Sequence, residues 1–127
     1  MTQSVLIAGG GIAGMAAALA LSRVGWQAQV YERASAFAEV GAGVQLGPNV
    51  TRVLHAWGLA DALKQVAALP QSLHARSAHS GEVLATLPLG AAMHRRYGAP
   101  YVTIHRADLY ALLHDAALAH GTQVHAD

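Results

Sequence analysis

The run Gly9-Gly10-Gly11-Ile12-Ala13-Gly14, followed by Glu32 eighteen positions after Gly14, is where residue types and spacing carry chemistry. The glycines form a G-x-G-x-x-G pattern, which brings backbone close to a pyrophosphate. Gly9 permits a tight turn, Gly11 leaves no Cβ between backbone and phosphate, and Gly14 lets a helix lie close to its neighbours. A helix opening here offers free N–H groups and partial positive charge to an anion. Glu32 can accept hydrogen bonds from a ribose diol, and its charge repels a 2′-phosphate. The chemistry implied is the binding of a dinucleotide without a 2′-phosphate. These residues by themselves leave NAD and FAD both open.

A glycine pattern alone is weak; the elements around it give it meaning. Val5, Leu6 and Ile7 make Ser4–Ala8 a short strand, expected to be fully buried. Residues 12–24 read as an Ala-rich helix ending at Gly25, a suitable C-cap. Residues 28–32 read as a second strand that closes on Glu32. The result is a β–α–β unit with the glycines at its first turn and the acid at its far edge.

Beyond it, Gly41, Gly43 and Gly47 mark a strand or loop that something large approaches, leading to a helix with Pro48 in its first turn. Val50, Val53, Leu54 and Trp57 recur at helical spacing and predict that helix's apolar face. Residues 72–78 and 83–87 flank His79-Ser80-Gly81-Glu82 and predict a β-hairpin. Residues 93–100 read as a loop carrying Arg95 and Arg96, a solvated pair. Leu109, Leu112, Leu113, Ala116 and Ala117 predict a helix with Gly121 as its C-cap, and residues 123–127 a further strand. Arg106 then falls at a helix start, where a cation is unfavourable unless an anion lies nearby.

Composition narrows the classes. An apolar fraction of 54% against 12% charged residues describes a globular chain with a real core. Eight Lys and Arg against seven Asp and Glu leave no basic footprint for nucleic acid or an anionic membrane. The ten apolar or small residues 12–21 are too few to span a bilayer, and residues 1–4 lack the basic start of a signal peptide. Cysteine is absent, which excludes disulfides and thiolate chemistry and is compatible with the cytoplasmic location expected here. Eight histidines raise the question of a metal, but no H-E-x-x-H occurs and His114, His120 and His125 lack i, i+4 spacing. No metal site is expected. His105 is expected to pack at a strand end, and no nucleophile elbow is present.

Three blocks together resemble the FAD-dependent aromatic-ring monooxygenases of the salicylate hydroxylase and 3-hydroxybenzoate 6-hydroxylase type. They are Gly9 to Gly14 with Glu32-Arg33, the block Gly41-Ala42-Gly43-Val44-Gln45-Leu46-Gly47-Pro48-Asn49, and Ile104-His105-Arg106-Ala107-Asp108-Leu109. The resemblance implies FAD as cofactor, NAD(P)H as reductant, O2 as oxidant and a small aromatic acid as substrate. It implies that Gly9, Gly11, Ala13 and Gly14 face the FAD pyrophosphate, with Glu32 on the adenosine ribose and Arg33 nearby. Val44 and Gln45 would pass the flavin ring, with Gln45 toward the substrate, and Arg106 would meet the ribityl–pyrophosphate region.

The implied fold class is α/β: a Rossmann-like FAD-binding unit with a parallel sheet, plus a β-hairpin from an incomplete antiparallel substrate sheet. The expected division is 1–70 for the β–α–β unit and following helix, 71–100 for the hairpin and loop, and 101–127 for a return to the FAD domain. Two later family motifs, an Asp-Gly and a Gly-Asp segment, do not occur in the sequence, so an N-terminal fragment is expected. The competing readings are another FAD- or NAD-dependent oxidoreductase and a truncated module that binds a dinucleotide without turnover.

Overall fold

The computed structural model describes residues 3–34 and 42–126. In chain order its elements are β1 (Ser4–Ala8), α1 (Ile12–Arg23), β2 (Gln27–Glu32), β3 (Gly43–Leu46), α2 (Pro48–Ala56), α3 (Ala60–Val66) and β4 (Ala67–Ala68). They continue with β5 (Ser72–Arg76), β6 (Val83–Pro88), α4 (Gly90–Tyr97), β7 (Val102–His105), α5 (Arg106–Ala119) and β8 (Gln123–Ala126). The chain divides into two compact units, one formed by residues up to 42 together with 106 onward, the other by residues 43–105.

In the first unit β2 lies between β1 and β8, all parallel, with Ile7 opposite Val30 and Val30 opposite Val124. Helices α1 and α5 pack together, and α1 also packs on β2. Their buried side chains are Met15, Ala18 and Leu19 from α1, and Leu109, Tyr110, Leu113 and Ala117 from α5. Both helices close on a left-handed glycine. After α1, Gly25 and Trp26 donate to the carbonyls of Ser22 and Leu21, each at 3.1 Å; Gly121 and Thr122 repeat this after α5. The side chains of Ser22 and Thr122 are linked at 3.0 Å, joining the two helix ends.

β1 departs from expectation. It alternates rather than being buried throughout, and Leu6 is 69% exposed. Three consecutive apolar residues identify a strand but not how many of its faces are covered, and α1 lies over the face that carries Val30 and Ala28.

In the second unit β7 is flanked by β3 and β4, both antiparallel to it, and β5 and β6 form a separate hairpin. Because β3 and β4 both pair with β7, residues 43–70 group with the hairpin segment and not, as expected from the sequence, with the opening unit. The core of this unit holds Leu46, Leu54, Leu63, Leu89, Ala99, Val102 and Ile104. Thr51 is also fully buried, and its hydroxyl donates to the Pro100 carbonyl at 2.6 Å. That bond corrects the expected face of α2: Thr51 and Leu54 point inward, while Val50 and Val53 are exposed.

The expected loop at 93–100 is largely helix. Ala91, Ala92, Met93 and the residues after them form α4, which stops where Gly98 adopts φ +74° and donates to the His94 carbonyl at 2.9 Å. Arg96 in it lies over the Tyr97 ring at 5.3 Å. His105 ends β7 and is exposed, not packed as expected. Among the described residues no helix is long and apolar enough to cross a membrane, and no group of three His, Asp or Glu could hold a metal ion.

Candidate functional site

The site grows from the end of β1. Gly9 takes φ +101°, a conformation that a side chain disfavours, and its N–H donates to the Tyr31 carbonyl at 2.8 Å, extending the β1–β2 ladder by one residue. The next amide leaves the ladder: the N–H of Gly10, a buried residue, donates to Oε2 of Glu32 at 2.7 Å. Gly11 then caps α1 in extended conformation, with its carbonyl accepting from Met15 at 2.9 Å.

Gly14 is required by space. A Cβ built there would overlap the Gly9 carbonyl oxygen, with the Gly9 carbonyl carbon at 3.1 Å and Ile7 Cγ2 at 3.6 Å. The chain therefore crosses itself with no room for a methyl group. No side chain caps the start of α1, and its first turn holds no acid. The amides of Ile12, Ala13 and Gly14 have no carbonyl to bond within the helix, and the helix dipole adds positive potential there. This is the donor set that a pyrophosphate uses, and the absent Cβ at Gly14 keeps the turn tight around it.

Glu32 ends β2 with both carboxylate oxygens engaged. Oε2 accepts from Gly10, and Oε1 accepts from the Ala34 N–H at 2.9 Å. The Ala34 and Gly10 amides hold this carboxyl below the usual glutamate range, against partial desolvation and with help from the neighbouring Arg33. The group is an anion at neutral pH.

The structure thus joins the Gly9–Gly14 turn to Glu32 by direct hydrogen bonding, with the exposed Arg33 next in the chain. Arg106 belongs to the same unit as the first residue of α5. Val44 and Gln45 belong to the second unit, on β3 opposite Ile104 and Thr103. Gln45 is exposed and Val44 half-buried. Of the second sequence block, Gly41 lies outside the described residues. Sequence reasoning missed Gly10 and Ala34, since both act through backbone amides and Gly10 occupies a position the glycine pattern leaves free.

A family model described as FAD binding domain matches residues 2–127. The 6-hydroxynicotinate 3-monooxygenase of Pseudomonas fluorescens is 42% identical over 118 residues, covering 91% of this chain and 31% of that protein. The 3-hydroxybenzoate 6-hydroxylase of Polaromonas naphthalenivorans is 41% identical over 113 residues, covering 89% and 28%. Among solved structures, Klebsiella pneumoniae HpxO complexed with FAD and uric acid superposes with a TM-score of 0.80 at 25% identity, over 96% of this chain and 30% of that one. The chain spans less than a third of the length of these relatives.

Proposed function

This chain belongs to the FAD-binding domain family, and from that premise we propose that it is the N-terminal FAD-binding portion of a flavoprotein monooxygenase that hydroxylates a small aromatic acid with NAD(P)H and O2. The observation that carries the reading is the crossing of Gly9 and Gly14 beside α1 amides with no carbonyl to bond within the helix, with an ionised Glu32 bonded to the same turn. The names of two relatives, a 6-hydroxynicotinate 3-monooxygenase and a 3-hydroxybenzoate 6-hydroxylase, support the reaction class.

Gly9, Gly11, Ala13 and Gly14 shape the turn that receives the pyrophosphate, chiefly through the Ile12, Ala13 and Gly14 amides. Glu32 receives the adenosine ribose hydroxyls, with Arg33 beside it, and its charge repels a 2′-phosphate. Arg106, the first residue of α5, meets the ribityl–pyrophosphate region of the same cofactor, as in the family the chain resembles. Val44 and Gln45 line the flavin path, with Gln45 toward the substrate. The β5–β6 hairpin joins the substrate-facing sheet. FAD, when bound, supplies the redox chemistry; the chain binds and orients it. The protein works in the cytoplasm.

The test is turnover. The reading frame extended to the length of the relatives should oxidise NAD(P)H and consume O2 when given an aromatic acid, and should return a product carrying one more oxygen. NAD(P)H oxidation with no hydroxylated product from any hydroxybenzoate or hydroxypyridine acid would count against it. A second reading, a dinucleotide-binding module without turnover, requires no more than the glycine turn and Glu32. It predicts FAD binding with no NAD(P)H oxidation under every condition.

A further inference from the structure

We propose that Glu32 is a positioning residue for the glycine turn, fixing Gly10 through its carboxylate independently of any contact with ribose. The inference rests on the FAD-binding reading and goes beyond it, because ribose recognition gives no reason for the acid to reach back to the turn.

Gly9 spends its N–H on the Tyr31 carbonyl, so the strand ladder ends there. Gly10 is buried, and a buried N–H must find an acceptor or destabilise the fold. Its acceptor is Glu32 Oε2, 22 residues away in sequence and 2.7 Å away in space. A short bond to an ionised acceptor is stronger than a neutral one. The Ala34 amide on Oε1 fixes the plane of the carboxylate, so that Oε2 stays aimed at Gly10.

An ionised carboxylate offers about four lone-pair sites. Gly10 and Ala34 occupy one on each oxygen and the Arg33 amide also lies on the carboxylate, which leaves one for a ribose hydroxyl. Glu32 can therefore hold the turn and read a ribose at the same time, with no exchange of partners. The consequence reaches the phosphate side. Gly10 is followed directly by Gly11, the N-cap of α1, so the placement of the Ile12, Ala13 and Gly14 amides depends on where Gly10 is held. Loss of the carboxylate should weaken even a ligand that has no ribose diol. Glutamine keeps one amide oxygen, so it can serve Gly10 or Ala34 but not both.

The test uses the 127-residue chain, two nucleotides and one ligand-free measurement. Amide hydrogen exchange by NMR, without nucleotide, should show Gly10 and Ala34 exchanging faster in Glu32→Ala, by about tenfold or more, with Glu32→Gln between it and wild type. The ladder amide of Gly9 should change far less, which separates a local role from general unfolding. Titration with ADP and with its 2′,3′-dideoxy analogue should show Glu32→Ala weakening both. Unchanged exchange at Gly10, or a loss confined to ADP, would overturn the proposal. Should wild type bind neither nucleotide nor FAD while Gly10 exchange still rises in Glu32→Ala, the positioning role stands and the FAD reading falls.

Discussion

Replacing Gly14 by alanine puts two opposing effects in competition at one atom. Alanine is the better helix former, and in an unobstructed helix the change stabilises by about 1 kcal/mol. At Gly14, however, the added methyl would overlap the Gly9 carbonyl oxygen and come within 3.1 Å of its carbon. Neither partner gives easily: Gly9 is held to Tyr31 at 2.8 Å, Gly10 to Glu32 at 2.7 Å, and the atom in the way is backbone, not a side-chain tip. Overpacking of this kind costs about 1–3 kcal/mol, and rigid backbone places it at the upper end. The net expectation is a loss of about 2 kcal/mol, or a fall in melting temperature on the order of 6–10 °C for a chain of this size. Thermal unfolding followed by circular dichroism reads it directly. Ala17→Gly on the exposed side of the same helix serves as the reference, since only propensity acts there, and it should cost about 1 kcal/mol. A Gly14→Ala chain as stable as wild type, or more so, would refute the crossing geometry.

Further outcomes follow from the same distances. Because the folded-state pKa of Glu32 is lowered, the stability it contributes is present above the normal glutamate range and is lost as pH falls through the folded value. Wild type should therefore exceed Glu32→Gln in stability near neutrality, and the gap should close in acid denaturation series; a gap constant with pH would contradict the ionised clamp. Thr51→Val should cost about 1–3 kcal/mol by stranding the Pro100 carbonyl, and Thr51→Ser should recover most of it, both read from chemical denaturation midpoints. Met15→Ala, at a fully buried position between α1 and its neighbours, should cost about 2–5 kcal/mol and show as a shifted denaturation midpoint.

How much of this was legible in the sequence depends on whether a side chain or an amide carries the role. The β–α–β unit was legible because its glycines and Glu32 are themselves the signal, and the helix ends at Gly25 and Gly121 announced themselves by residue type. The hydrogen bond from Gly10 was not, since an amide at a free position of the pattern leaves no mark. Thr51 was hidden by its polarity: hydrophobic spacing chose Val50 and Val53, whereas the structure buries a hydroxyl that finds a carbonyl 49 residues away. α4 was hidden by its borders, because Gly90, Gly98 and Pro100 read as loop punctuation although the residues between favour a helix. Val44 and Gln45 sit on β3, in a different unit from the glycine turn, and no spacing in the sequence marks that division.

The central claim is that this turn and this acid receive FAD. The most direct measurement is titration of the purified chain with FAD, followed by flavin fluorescence and by co-elution of visible flavin absorbance through a desalting column. The account predicts that FAD is retained, that ADP competes for it, and that NADP+ does not, because Glu32 opposes a 2′-phosphate. Retention of NAD with no retention of FAD, or equal competition by NADP+, would contradict it.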